Sequence, residues 1–438
     1  MGKCLAVILA IMMLLAFTGC DSARVPSMDE DTAGRSEWET EDPVIDNNTA
    51  VETENETDNM TNKEGTEGLL YSPLPDGTYG VKMGTAQHLE EIVIPKTYKG
   101  VDVTQILNGA FSDAKNLKSI TIPDSVTSIG DSAFSGCTSL TGVKIPDSVT
   151  SIGTYAFYKC KSLKSVEIPD SVTSIGNHAF FYCTSLTSAI ISALAISYIP
   201  ESNLQTVVIT SGESIDDHAF SYCTSLTSVI IPDSVTSIGH EAFYECTSLT
   251  SITVGDNSQT YKSIGGNLYS KDGTELIQYA IGKTETSFAI PDNVTSIASG
   301  AFSWSTSLMS VIIPDSVMNV GGSTFYNCTS LTSVEIGDSV TSIGFSAFSH
   351  CKSLTSIVIP DSVMSIGDYA FSDCSSLKNV EIGDSVTSIG YRVFYKCTSL
   401  TTVYYTESEE KWTEISIGSD NLPLTNAKIV YNYVSEEE

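Results

Sequence analysis

A period of 23 residues constrains this chain more than any other feature of its sequence. The phenylalanines of its Ala-Phe pairs, and of their variants, fall at 111, 134, 157 and 180, at 220 and 243, and at 302, 325, 348, 371 and 394; within each group the step is 23. In the unit that runs from Leu140 to Cys160, apolar residues occupy Leu140, Val143, Ile145, Val149, Ile152, Ala156, Phe157 and Cys160. Neither a period of 2 nor one of 3.6 lasts through the unit, so it is one coil of a solenoid and not one long element. Such a unit must stack. Burying the apolar side chains contributes roughly 1.5–3 kcal/mol each at best. Ordering the backbone costs about 1–2 kcal/mol for every residue of the unit. A lone coil therefore stays unfolded, whereas a column buries both faces of each coil and gains a strand ladder.

The residues of one unit suggest its parts. Leu-x-x-Val-x-Ile supplies a short strand, and Pro146 ends it because proline cannot donate to a ladder. Pro146-Asp147 makes a turn in which the carboxylate can accept from nearby backbone N–H groups. Val-Thr-Ser-Ile is a second short extended piece. Gly153 is expected to take an unusual backbone angle, and Ala-Phe-x-x-Cys reads as one 3-10 or helical turn with Phe as the largest core filler. The fold class is a repeat solenoid with a parallel β-sheet, short second strands and 3-10 or helical turns.

These motifs resemble a known family. The strand pattern is similar to that of leucine-rich repeats. The form with Ile-Pro-Asp-Ser-Val, Ser-Ile-Gly, Ala-Phe and Cys-Thr-Ser-Leu resembles the BspA-type class of surface proteins, over about residues 89–405. The resemblance implies secreted or surface-attached proteins, several of them adhesins that bind host or bacterial partners. It implies no catalytic activity. One departure from standard leucine-rich repeats stands out: the Asn-ladder position holds Val149, Val172 and Val235, so that ladder's backbone bonding is not expected.

The repeat breaks twice. From Phe180 to Phe220 the step is 40, and the stretch around Tyr198 lacks the Ala-Phe turn, which predicts one shortened coil. From Phe243 to Phe302 the step is 59, and about residues 253–290 read as a β-hairpin insertion turning at Asp272-Gly273. Insertions map to loops on one face, often the binding face; a spacer or a bend is the plainer alternative. The ends need caps, expected at residues 69–88 and 406–438, with Trp412 as a cap-core residue.

Residues 1–20 read as an export signal: Lys3, an apolar run from Leu5 to Phe17, then Phe17-Thr18-Gly19-Cys20. The closing tetrapeptide resembles the lipobox of bacterial lipoproteins, which implies lipidation of Cys20 and attachment to the outer side of a bacterial membrane. Residues 21–68 hold 15 acidic and 3 basic side chains and no hydrophobic period, which predicts a disordered acidic tether. With 53 acidic residues against 22 Lys and Arg, and a net charge of -31, the chain repels phosphate backbones and excludes a nucleic-acid partner.

Little in the sequence points to reaction chemistry. Nine cysteines share one slot, at 137, 160, 183, 223, 246, 328, 351, 374 and 397, where Ala114 and Ser305 also stand; this predicts a column of buried free thiols. A zinc site is not expected, since there is no Cys-x-x-Cys and the histidines stand apart at 88, 178, 218, 240 and 350. Asp124, Asp147, Asp170, Asp233, Asp292, Asp315 and Asp361 follow proline in another column. Turn capping is the reading preferred there, with calcium binding as the alternative. No nucleophile elbow, phosphate loop or paired-acid constellation occurs, so neither an enzyme nor a cofactor is expected.

The candidate partner-binding residues are the non-repeating aromatics Tyr155, Phe181, Tyr182, Tyr222, Trp304 and Tyr369, with Phe345 and the nearby His178 and His218. Aromatic rings give rigid contact area for proteins or sugars. The expected function is surface-anchored binding of an extracellular protein or glycan in adhesion; the alternative is a structural surface spacer without a specific ligand.

Overall fold

Strands contributed by successive repeats pair in parallel, one repeat apart. The computed structural model describes residues 65–200 and 203–434; the expected export signal, Cys20 and the tether up to residue 64 lie outside the described residues. The first strand of each coil comes from Leu-x-x-Val-x-Ile. Gly142–Lys144 pairs with Ser165–Glu167, which pairs with Ser188–Ile191, and Val143 stands opposite Val166 and Val166 opposite Ala189. The Ser-Ile pairs form a second ladder, from Ser128–Ile129 through Ser151–Ile152 to Ser174–Ile175. The same two ladders recur in the C-terminal half, for example Ser356–Ile359 on Asn379–Ile382 and Ser342–Ile343 on Ser365–Ile366.

The Ala-Phe segment makes the third side. Its amides alternate between two kinds of partner. Tyr158 N–H bonds back to the Tyr155 carbonyl at 3.0 Å and Cys160 N–H to that of Phe157 at 3.2 Å, which are tight local turns. Phe157 N–H instead reaches the Ala179 carbonyl of the next coil at 2.7 Å, and Lys159 N–H reaches Phe181 at 2.9 Å. Left-handed residues at two slots, two before and two after each Phe, stop the turns from propagating as a helix: Tyr155 has φ 56° and Lys159 φ 58°. Gly153 does not carry the unusual angle expected of it. It is glycine because a Cβ there would stand 2.5 Å from the Asp131 amide nitrogen of the coil before, so the need is close backbone approach.

The core is a set of columns. Val126, Val149 and Val172 are buried, as are the phenylalanines from Phe111 to Phe180. Ring centroids along that run lie 5.0–5.3 Å apart with interplanar angles of 10° or less. All nine repeat cysteines are buried and none is in a disulfide. Cys160 Sγ donates to the Phe134 carbonyl of the preceding coil at 3.2 Å, and Cys351 to that of Phe325 at 3.2 Å. Burial pushes the Cys328 thiol up to about 12, so it stays protonated and unreactive.

Hydroxyls replace the missing Asn ladder. Ser148 Oγ donates to the Val126 carbonyl at 2.6 Å, Ser171 to Val149 at 2.8 Å and Ser362 to Val340 at 2.6 Å. Asp carboxylates also bond between coils. Asp315 accepts the Asp338 amide at 2.8 Å and Asp361 that of Asp384 at 3.0 Å. Both occur where Gly337 or Gly383 replaces proline, because a Cβ at either would meet backbone of the coil before within 2.6 Å. Capping of backbone amides is thus visible in this column, but the capped amide belongs to the next coil.

Both interruptions are woven into the stack. The strand step shortens to 18 residues between Ser188 and Thr206, then runs 22 to Ser228, and the 3-10 helix Ala193–Tyr198 occupies the shortened coil. The second insertion is a three-stranded antiparallel meander: Tyr261–Ile264, Asn267–Ser270 and Glu275–Gln278. It turns first at Gly265-Gly266, with φ of 57° and 80°, and then at Asp272-Gly273. Its last strand rejoins the second ladder, with Leu276 opposite Ile297. Tyr279 then enters the Phe column: its ring lies 5.0 Å from Phe302, and its N–H bonds to the Ala301 carbonyl as a repeat Phe would.

At the start, Leu70–Pro73 and Tyr79–Lys82 form an antiparallel pair, and the second joins Val101–Ile106 in parallel. At the end, Ser416–Ile417 and Lys428–Val430 extend the two ladders by one more coil, with helices Glu409–Glu414 and Leu422–Asn426 beside them. Trp412 is buried against Tyr405, ring centroids 5.2 Å apart. Among the described residues, no helix is long and apolar enough to cross a membrane.

Candidate functional site

The candidate aromatics stand on the Ala-Phe side of the solenoid, and the repeat places them there. Tyr155, Tyr182, Tyr222, Trp304 and Tyr369 all occupy left-handed slots, with φ between 56° and 68°. Phe181 follows the core Phe180 directly. Bulky L-residues in this conformation cost roughly 1–2 kcal/mol each relative to glycine. Gly109, Gly136 and Gly300 fill equivalent slots in other coils without that cost. Ser132, Lys159, Glu245 and Asn327 fill equivalent slots as well, so the left-handed backbone belongs to the repeat and the rings are carried outward on it.

The six predicted residues separate into three patches. The densest joins Tyr155, Phe181 and Tyr182 through Tyr158 and His178. Tyr155 stacks on His178 at 5.3 Å and meets Tyr158 edge-on at 5.2 Å; Phe181 and Tyr182 lie 4.3 Å apart. Lys159 Nζ sits 4.8 Å above the Tyr158 ring. Beside this cluster is a cavity of about 850 Å³, whose lining includes His178, Phe181, Tyr182, Tyr198 and Pro200. The end of the 3-10 helix of the shortened coil, Ser197 and Tyr198, also lines it, which places that interruption next to the aromatics.

A second patch runs edge to edge from Tyr222 to Tyr244 (5.7 Å), Trp304 (6.2 Å), Tyr326 (6.4 Å) and His350 (5.4 Å). Burial pushes the Tyr244 hydroxyl above its ordinary range. The third joins Phe345, Tyr369 and Tyr391, with the Arg392 guanidinium 4.8 Å from the Tyr391 ring. Tyr155, Phe181, Tyr182, Tyr222 and Phe345 are exposed, whereas Trp304 and Tyr369 are half-buried by their neighbours. Tyr158, Tyr244, Tyr326 and Tyr391 belong to these patches although they were absent from the sequence-based set. A signal existed: the first three follow the repeat Phe directly, the slot that Phe181 marks.

Two histidines expected to stand apart are brought together. His218 and His240 are 22 residues apart, one less than the repeat, and their ring centroids lie 6.2 Å apart across neighbouring coils. Glu241 reaches both.

The family follows from the comparison with known proteins. Residues 104–212, 197–281 and 278–401 match the family described as BspA type leucine rich repeat region, in six copies. The chain is a BspA-type leucine-rich repeat protein. A leucine rich cell surface protein from Faecalibacterium prausnitzii is 35% identical to it, with 80% of this chain and 96% of that one covered at a TM-score of 0.52. A leucine-rich repeat protein from Bacteroides ovatus is 29% identical, with 84% and 98% covered at a TM-score of 0.52. A third, from Eubacterium ventriosum, shares the fold at 22% identity, with 85% and 95% covered and a TM-score of 0.51. No curated protein matches. This BspA-type protein is thus one of a family of leucine-rich repeat cell-surface proteins.

Proposed function

We propose that this BspA-type protein binds an extracellular protein or glycan partner through the aromatic edge of its Ala-Phe side, in adhesion. Residues 1–20 would export the chain, lipidation of Cys20 would hold it at the membrane, and residues 21–68 would carry the solenoid outward. The observation that supports binding most is the five-ring cluster of Tyr155, Tyr158, His178, Phe181 and Tyr182 beside the 850 Å³ cavity. Rigid rings next to a recess offer large contact area at little entropic cost.

A spacer without a ligand is the second reading. The inter-coil hydroxyl bonds favour it, since much of the Ser and Thr surface is engaged within the solenoid itself. A panel of matrix proteins and glycans separates the two. The binding reading expects a partner whose affinity falls at least tenfold in the double variant Phe181→Ala, Tyr182→Ala, as loss of central aromatic contacts does, with the melting temperature unchanged. Absence of any partner, or cell attachment that the double variant leaves intact, would favour the spacer.

A further inference from the structure

We propose that His218, His240 and Glu241 form a surface site for a borderline divalent transition-metal ion of the Zn²⁺, Ni²⁺ or Cu²⁺ class. The site lies on the same Ala-Phe side as the aromatic edge, with Tyr244 in the cavity that His240 and Glu241 line, but it does not depend on that edge binding a partner. Three observations carry it. First, the donor atoms converge. Glu241 Oε2 lies 3.5 Å from His218 Nδ1, and Oε1 lies 4.0 Å from His240 Nδ1. One ligand atom from each residue falls within 4.8 Å of the other two. A tetrahedral ion with bonds of about 2.0–2.1 Å needs donor atoms about 3.4 Å apart. Both histidine side chains are exposed, so their rotation can shorten these distances.

Second, the backbone that carries the ligands is held. His218 and Glu241 occupy the same left-handed slot of neighbouring coils, with φ of 58° and 53°. His218 N–H bonds to the His240 carbonyl at 3.0 Å, and the Asp217 carboxylate accepts the His240 N–H at 2.7 Å. Ser221 Oγ donates to the Glu241 carbonyl at 2.8 Å, which ties the coil of the first histidine to the coil that bears the other two ligands.

Third, the donor set is selective. Two imidazoles with one carboxylate suit borderline transition metals, whereas calcium and magnesium take oxygen ligands. Among the described residues no other group of three such side chains converges in this way. The three ligands leave at least one coordination position for water or a donor from another molecule. His240 and Glu241 also line a second cavity of about 850 Å³, formed with Tyr244, Tyr261 and Glu275, so the ion would stand at its edge.

The test uses the full chain without a histidine tag, stripped of metal by chelation and kept folded so that its nine repeat thiols remain buried. Zn²⁺ is titrated by calorimetry, and Co²⁺ is followed by its visible absorption, which reports coordination geometry. The expected result is one equivalent of Zn²⁺ bound, a Co²⁺ spectrum of low coordination number, and no displacement by excess Ca²⁺. His218→Ala with His240→Ala should abolish that equivalent, and Glu241→Gln should weaken it by at least tenfold. The melting temperature of the metal-free variants should equal that of the parent, and Zn²⁺ should raise it only in the parent. Failure of the parent to bind Zn²⁺ would overturn the site. So would retention of the equivalent in the double histidine variant, or equal competition by Ca²⁺.

Discussion

Tyr222 shows at the scale of one residue how stability and function pull apart in this protein. It is 59% exposed, has φ 63° and touches Tyr244 edge-on at 5.7 Å. The left-handed backbone costs roughly 1–2 kcal/mol, and the ring contact returns about 0.5–1.5 kcal/mol. Asparagine tolerates this conformation far better, and Asn327 already fills an equivalent slot. Tyr222→Asn should therefore leave stability level or raise it by about 1 kcal/mol, while partner binding weakens; urea melts and the binding assay check the two halves separately. The strained slots themselves were not legible in the sequence. Backbone handedness depends on how amides alternate between local and inter-coil partners, and residue type does not mark it when tyrosine, lysine and glycine share a slot. What could be read was occupancy: a solvent-facing ring at a non-repeating position.

At the scale of elements, the meander over residues 261–278 has its own pH dependence. Asp272 accepts the Thr274 amide at 3.0 Å and hydrogen bonds from Ser270 and Thr274 hydroxyls at 2.7 and 2.9 Å. These bonds, the backbone one foremost, hold its carboxyl down to about 2 from an ordinary 3.8. A carboxyl depressed in the folded state contributes stability that is fully present above its unfolded value, about pH 4, and is lost as pH falls through its folded value near 2. Asp272→Asn should remove that acid-side loss, and amide exchange across Asn267–Ser270 between pH 2 and 5 measures it. The Asp-Gly turn was readable because turn chemistry is local. The first strand, Tyr261–Ile264, and the role of Tyr279 were harder to see, although Tyr279 lies 23 residues before Phe302. Phenylalanine marks this column in the other coils, and a tyrosine in the same place breaks the count. His218 and His240 escaped for a similar reason: a separation of 22 rather than 23 gives no shared slot, yet the parallel register sets them side by side.

At the scale of the whole solenoid, each coil is stabilised chiefly by its neighbours, so position along the column sets the cost of a cavity. Phe157 lies 5.0 Å from both Phe134 and Phe180, whereas Phe394 stacks on Phe371 at 5.6 Å at the end of the phenylalanine run. Phe157→Ala should cost about 3–5 kcal/mol, and Phe394→Ala distinctly less; denaturant unfolding of the two variants compares them. This scale was the most legible in advance. A repeat forces equivalent residues into equivalent surroundings, so the Val, Ile, Phe and Cys columns, and the parallel ladders between them, could be read from spacing before any coordinate was known.

The shielded thiol column makes folding a race. Cys160 and Cys351 engage carbonyls of the coil before them, so a thiol is sequestered only once its neighbour has docked. If the chain is exported as proposed, an unfolded copy in an oxidising compartment would instead offer nine interchangeable thiols for mispairing. Coil-by-coil docking must outrun oxidation. Refolding yield should therefore rise with reductant and collapse when the denatured chain is oxidised first. The assembled protein should be indifferent to either treatment, as a mass spectrum after native alkylation would show by the absence of adducts on the nine.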